Sequence, residues 1–217
     1  MSNEKKINII LLAVLILAFV LDQFCIGFQL TNKYRYATKT VLLPVLIMYY
    51  WINATKPNIA FLLGLVLSFF GDLFLLVKGG FIPGLSSFLL AHICYIFTFK
   101  TRIKQRNLSI LPGILLYIIG LVSFLFKHLG VMKLPVIIYA ITIGLMLYMA
   151  ILTKDKLLII GAFLFVLSDS ILSINIFYQH SIIGSLAVMF TYVLAQYFLV
   201  NAMLFKEDSK TYSINKK

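Results

Sequence analysis

Eight apolar runs, separated by short breaks rich in charged or turn-forming residues, account for most of this sequence. A helix needs roughly 20 apolar residues to cross about 30 Å of hydrocarbon, and the period-2 alternation of a membrane β-barrel is absent. Hydrophobic residues make up 62% of the 217 residues and the mean hydropathy is +1.02, which excludes a soluble domain of ordinary composition. The sequence therefore predicts an all-α, polytopic transmembrane bundle.

The breaks between the runs divide the chain into eight predicted helices. These lie near 7–28, 38–53, 57–77, 81–99, 108–126, 134–153, 157–178 and 182–205. Residues 1–205 are expected to form a single transmembrane domain, followed by a polar cytoplasmic tail at 206–217. The first run follows Lys5 and Lys6, as in a signal peptide, but no small-residue cleavage site precedes Asp22, so we interpret it as a retained first helix.

Basic residues are unevenly divided between the two predicted sides of the membrane. Thirteen of the 19 Lys and Arg residues fall on the side of both termini, most densely in the loop 100–106. By the positive-inside rule, both termini are expected to face the cytoplasm of a multi-pass protein in the cell membrane. Loops that meet anionic membrane lipid explain the formal charge of +12, so no nucleic-acid partner is expected.

The residues that most often hold metals or form nucleophilic sites are sparse. Cys25 and Cys94 lie far apart within apolar runs, and two of the three histidines, His128 and His180, fall in loops. Zinc hydrolases need clustered His and carboxylate ligands, and neither a G-x-S-x-G elbow nor an H-E-x-x-H motif is present. No metal and no cofactor are therefore predicted.

Three of the seven acidic residues, Asp22, Asp72 and Asp169, fall within predicted spans. A charge near the bilayer centre costs at least about 2.5 to 3.5 kcal/mol, so such carboxyls usually face a bundle interior or an aqueous cavity. They can carry chemistry, or they can only join helices through hydrogen bonds. Asp72 and Asp169 are favoured for function, and Asp22, nearer a helix end, is a secondary candidate.

The helices that carry and follow Asp72 and Asp169 also carry polar side chains at helical spacing. The candidates for orienting water or substrate are Ser68, His92, Tyr95, Ser168, Tyr192 and Gln196. A glycine stands eight residues before each of Asp72, Asp169, His92 and Tyr192. This weak internal repeat leaves open an arrangement of two parallel four-helix halves with a shared site between them.

Four stretches contain these residues: 67–75 with Ser-x-x-Gly-Asp, 81–95 with Ala-His, 161–170 with Ser-Asp-Ser, and 192–197 with Tyr-Val-Leu-Ala-Gln-Tyr. In order, spacing and total length they resemble the lysoplasmalogenase family of eight-helix membrane proteins, also called the YhhN family. The resemblance covers nearly the whole chain. The family tends to carry a Lys-Pro pair at the start of the second helix, where this chain has Lys39-Thr40 and a proline only at Pro44.

The resemblance implies an ether-bond hydrolase of lipid metabolism. Such an enzyme cleaves the vinyl ether of a lysoplasmalogen, a lysophospholipid taken from the bilayer, into a fatty aldehyde and a glycerophospho-alcohol. We expect Asp72 and Asp169 to act as an aspartate dyad, one as acid and one as base. Lys39 and Lys56 are candidates for contact with the lipid headgroup, although Lys56 is predicted on the cytoplasmic side, away from both aspartates.

Two functions of other classes use the same acids. A proton-coupled transporter would bind a cation or substrate at them, between the two halves. An intramembrane aspartyl protease would pair Tyr-Asp with Gly-x-Gly-Asp, whereas this chain has Phe-Gly-Asp72 and Ser-Asp169, so we rank it last. The sequence alone favours the hydrolase only through the resemblance, and it leaves the oligomeric state open.

Overall fold

A computed structural model describes residues 3–105 and 107–214, together with their side chains except those of Asn32 and residues 206–214. Within this part the chain forms eight α-helices and no strand, so the predicted all-α bundle is confirmed. The helices are α1 (Asn3–Gly27), α2 (Asn32–Asn53), α3 (Ile59–Leu76), α4 (Phe81–Lys100), α5 (Leu111–Leu125), α6 (Lys133–Leu152), α7 (Lys156–Phe177) and α8 (Ile182–Ile214). A short 3-10 turn, Gly130–Met132, precedes α6.

Helix ends differ from the predicted ends most at α2 and α8. α2 begins six residues before the predicted start, and α8 continues through the first part of the predicted tail. Hydropathy marks the apolar part of a helix, whereas charged residues such as Lys and Glu continue a helical backbone well. Two predicted segments lie partly outside the described residues. These are Arg106 of the basic loop 100–106 and residues 215–217 of the tail 206–217.

The protein is an integral membrane protein by the length and composition of its helices. In the described part, six helices are long and apolar enough to cross a membrane: α1, α3, α4, α6, α7 and α8. α5, with 15 residues, spans about 22 Å, and α2 carries Lys33, Arg35 and Lys39. Large apolar side chains such as Leu116 and Ile183 stand exposed on the outside, as lipid contact requires. The cytoplasmic location of the termini stays a prediction.

Small residues allow the closest helix pairs, α3 with α4 and α7 with α8, to approach. A Cβ atom on Gly64 would lie 2.4 Å from the ring of Tyr95, and one on Gly161 would lie 2.8 Å from Leu199. Serine hydroxyls tie both pairs, since Ser87 donates to a carbonyl of α3 and Ser168 donates to a carbonyl of α8. The two pairs are therefore built in the same way.

The packing of the other helices largely follows the predicted halves. Three helix pairs have an equivalent pair in the repeat. The α1–α2 pair corresponds to α5–α6, the α2–α3 pair to α6–α7, and the α2–α8 pair to α6–α4. The correspondence fails at α5. α1 packs on α8, but α5 packs on α7 and makes no contact with α4 in the described part of the chain. The bundle is thus a near repeat with one displaced helix.

Replacing Gly64 with alanine is expected to destabilise the protein by about 1 to 3 kcal/mol, because the fully buried ring of Tyr95 must move to admit the methyl group. The matched control is Gly120→Ala on α5, where a Cβ meets no atom within 4 Å. That control should be neutral or slightly stabilising, since alanine costs less backbone entropy in a helix. Thermal unfolding in detergent micelles measures both, and equal melting temperatures would contradict the packing argument.

Candidate active site

Asp72 on α3 and Asp169 on α7 line the same cavity, which has a volume of about 270 Å³. Its walls come from the beginning of α2, the end of α3, the first half of α4, the end of α7 and the beginning of α8. The cavity therefore lies toward the end of the bundle that carries the α3–α4 and α7–α8 connections. The two acids singled out from the sequence, although 97 residues apart in the chain, share one polar space.

Asp72 is held by a buried cation and a phenol. Lys39 Nζ lies 3.0 Å from Asp72 Oδ1, and the Tyr192 hydroxyl donates to Asp72 Oδ2 at 2.7 Å. The lysine and aspartate side chains are only 7% and 5% exposed. The ammonium group and the carboxyl, buried side by side, offset part of the desolvation of each other. Lys39 thus contacts Asp72.

Asp169 has different partners. The Tyr139 hydroxyl donates to Asp169 Oδ2 at 2.5 Å, and His92 Nε2 lies 3.9 Å from the same oxygen, beyond hydrogen-bonding distance. The imidazole of His92 is fully buried. Among the described side chains no lysine or arginine pairs with Asp169. The two carboxyls therefore differ in their electrostatic surroundings, one facing a cation and the other a phenol and an imidazole.

The partners of the two carboxyls correspond across the repeat. Lys39 and Tyr139 are 100 residues apart and lie on the equivalent helices α2 and α6, and His92 and Tyr192 are also 100 residues apart, on α4 and α8. Each carboxyl takes one partner from its own half and one from the other half. Tyr139 was not predicted from the sequence.

Three of the predicted orienting residues form a buried cluster beside the cavity. Tyr95 donates to Gln196 Oε1 at 3.1 Å, and its hydroxyl lies 3.4 Å from Ser68 Oγ. None of the three lines the cavity. Ser168 does line it, but its hydroxyl is engaged with the Val188 carbonyl. The structure therefore places this cluster where it supports α3, α4 and α8.

Lys56 and Asp22 lie apart from the two carboxyls. Lys56 is exposed in the α2–α3 connection, and Asp72 lies about 20 Å further along α3 by the helical rise. Asp22 is fully buried, accepts a hydrogen bond from Thr38 at 2.8 Å and lies 3.6 Å from Arg35 Nε. Arg35 lines the cavity and Asp22 does not. Asp22 thus lies next to the site, beside Arg35.

Other polar residues of the cavity wall were not predicted from the sequence. Arg35, His180, Asn175 and Ser185 all line it, and Asn175 Nδ2 donates to Ser185 Oγ. The basic residues Arg35 and His180 fall in segments that hydropathy assigns to connections, where charge has an ordinary explanation. Within residues 3–105 and 107–214, no three His, Cys, Asp or Glu side chains are grouped as metal ligands.

The match to a known family begins in the first turn of α2 and ends within α8. Residues 34–203 match the family model described as the YhhN family. The chain belongs to the YhhN family. The match confirms the resemblance found in the sequence motifs, and it includes Lys39, Asp72, Tyr139 and Asp169 but not Asp22.

Two curated relatives of this YhhN protein carry the same name. It is 31% identical over 197 residues to lysoplasmalogenase TMEM86B of Homo sapiens. The aligned region covers 87% of this chain and 84% of the human protein. It is 30% identical over 174 residues to lysoplasmalogenase TMEM86B of Rattus norvegicus. The aligned region covers 77% of this chain and 72% of the rat protein. No solved structure matches.

Proposed function

We propose that this protein is a membrane-embedded hydrolase that cleaves the vinyl ether bond of lysoplasmalogens, with Asp72 and Asp169 as its acid and base. The relatives named lysoplasmalogenase support the reaction class. The observation that carries the mechanism is that two carboxyls with unlike partners line one cavity. General acid and base catalysis needs this combination of a shared space and two protonation states.

The partners of the carboxyls divide the catalytic roles. Asp169, without a cationic partner, holds the proton and delivers it to the alkene carbon next to the ether-bearing carbon, which leaves an oxocarbenium ion. Asp72, paired with Lys39, accepts a proton from the water that adds to this ion. When the resulting hemiacetal breaks its bond to the glycerol oxygen, Asp72 returns its proton to that oxygen and Asp169 takes the proton of the hemiacetal hydroxyl, which restores both carboxyls. The products are a fatty aldehyde and a glycerophospho-alcohol, as in acid-assisted oxocarbenium chemistry of glycosides.

Basic side chains on the cavity wall favour an anionic headgroup. Arg35, Lys39 and His180 line the cavity, and the side chain of Arg35 is 23% exposed. Guanidinium groups bind phosphate with charge-assisted hydrogen bonds. The phosphate of a lysophospholipid would thus lie near the beginning of α2, and the lipid would enter from the bilayer.

The reaction class is tested by supplying the purified protein with a lysoplasmenyl lipid and measuring the released aldehyde. In heavy water, the proposed protonation step places one deuterium on the carbon next to the aldehyde. The matched control lipid has a saturated ether in place of the vinyl ether, and it should be stable because it offers no alkene to protonate. Proton-coupled solute flux in proteoliposomes without lipid turnover would instead favour the transporter.

Changing Tyr139 to phenylalanine is expected to lower kcat about 10- to 100-fold, with a smaller effect on KM, since it removes the hydrogen bond to Asp169 that orients this carboxyl. Tyr148→Phe on the same helix is the control, because the Tyr148 hydroxyl donates to the Asn107 carbonyl, away from both carboxyls. Steady-state kinetics of aldehyde release measure both. Equal kcat values for the two variants would remove Tyr139 from the mechanism.

A further inference from the structure

We infer that a second cavity, enclosed by α5, α6 and α7, binds the hydrocarbon tail of the lipid substrate, an inference that rests on the proposed function. This tail cavity has a volume of about 350 Å³. Its wall is apolar except near one region, where Tyr117, Tyr139, Asp169, Ser170 and Ser173 contribute polar atoms. A space of this size and lining inside a membrane protein suits one alkyl chain and not a charged group.

The tail cavity adjoins the polar cavity at Asp169. A small space of about 50 Å³ lies between them, and Asp169 lines all three. Tyr139 and Val136 are shared by the small space and the tail cavity, and Phe88 and Leu172 by the small space and the polar cavity. A molecule with one polar and one apolar end can therefore lie across Asp169.

A vinyl ether lipid has its reacting carbons at the corresponding position. The two alkene carbons are the first two carbons of the tail, and the ether oxygen joins them to the glycerol and its phosphate. If the headgroup occupies the cavity with Arg35 and Lys39, and the tail occupies the cavity under α5, these carbons lie beside Asp169. The two cavities thus present to the acid the atoms that it must protonate.

The depth of the tail cavity suits a long chain. On α6 its wall extends beyond Tyr139 as far as Leu147. The distance from Tyr139 to Leu147 is eight residues, or about 12 Å by the helical rise. On α5 the wall continues to Ile110 at the beginning of the helix, and on α7 to Phe163. The far end of the cavity therefore lies well away from Asp169.

The displaced helix α5 accounts for this space. In the first half of the repeat, α1 packs on α8. In the second half, the equivalent helix α5 packs on α6 and α7 and, in the described part of the chain, not on α4. The equivalent of the α1–α8 contact is absent from the described chain, and the tail cavity opens beneath α5. The one departure from the repeat is thus also the place where an apolar cavity reaches a carboxyl.

A matched pair of glycines on α5 tests the assignment. At both Gly113 and Gly120 a Cβ meets no atom within 4 Å, but only Gly113 lines the tail cavity, about 6 Å beyond Tyr117 toward its far end. Gly113→Trp should raise KM for a hexadecenyl substrate about tenfold or more, the loss expected for one or two displaced methylenes. A butenyl substrate, whose tail ends before Gly113, should be nearly unaffected. Gly120→Trp should leave both KM values unchanged.

A binding experiment separates this inference from the proposed reaction. A lysophospholipid with a saturated ether tail and a terminal diazirine cannot be cleaved, and after illumination it should label α5, α6 or α7 near Ile110, Leu147 or Phe163. Labelling there without any aldehyde release from a vinyl ether would sustain the tail site and reject the hydrolase. Aldehyde release with labelling only elsewhere, or equal tail-length preference in both glycine variants, would overturn the tail site.

Discussion

Replacing Asp169 with asparagine is expected to lower kcat/KM for vinyl ether hydrolysis about 10²- to 10⁴-fold, because the amide cannot deliver a proton to the alkene. Asp72→Asn should cause a loss of similar size, since the amide cannot accept the proton of the attacking water. Asparagine has nearly the same volume as aspartate, so the shape of the site should survive in the Asp169 variant. The Asp72 variant also leaves Lys39 buried without its anion, so its rates are compared only after circular dichroism shows that it is folded. Aldehyde release in detergent, measured at several substrate concentrations, gives the rates.

Asp155→Asn provides the matched control for these substitutions. Asp155 accepts hydrogen bonds from the backbone amides of Leu157 and Leu158 at the beginning of α7, and asparagine caps a helix equally well. This variant should keep wild-type kinetics. Labelling by the diazirine lipid should also persist in the Asp72 and Asp169 variants. Hydrolysis at the wild-type rate in either one would show that its carboxyl takes no part in the reaction.

Lys39→Met is expected to destabilise the protein by about 3 to 5 kcal/mol. The substitution leaves the Asp72 carboxylate buried without its cation, and an uncompensated charge costs far more than the loss of a surface ion pair. Lys33→Met, at an exposed lysine earlier on the same helix, is the control and should be nearly neutral. Unfolding of the purified protein in detergent, followed by circular dichroism, measures both effects.

The double variant Lys39→Met with Asp72→Asn distinguishes a charge effect from a packing effect. Removing both charges should restore most of the stability lost in Lys39→Met, while leaving the protein without hydrolase activity. A double variant as unstable as Lys39→Met would show that the aliphatic part of Lys39 matters more than its pairing with Asp72. The pair would then have no special part in holding the site.

The acids could be predicted from the sequence because hydropathy makes an aspartate in an apolar run conspicuous. Their neighbours could not be predicted so easily. Tyr139 is one of 12 tyrosines in a membrane protein, where tyrosine commonly lies at the bilayer surface. Lys39 stands at the edge of an apolar run, where a lysine has an ordinary explanation as a flanking charge. Only the distances of these residues to the carboxyls distinguish them from such neighbours.

The helix packing was predictable to a similar degree. The glycine intervals indicated that α3 and α7 occupy equivalent positions, and the α3–α4 and α7–α8 pairs correspond in the structure. The displacement of α5 left no mark in the sequence, because an apolar side chain that faces lipid and one that lines an apolar cavity have the same composition. The tail cavity therefore became visible only in the arrangement of the helices.

The distribution of charge around α2 has a consequence for how the chain enters the membrane. Lys39 pairs with Asp72 on the following helix, and Arg35 lies beside Asp22 on the preceding one. Each unpaired cation would oppose insertion of α2 by a few kcal/mol, and α2 is not among the helices apolar enough to insert by hydropathy alone. Biogenesis of this protein thus favours joint integration of α1, α2 and α3 over insertion of one helix at a time.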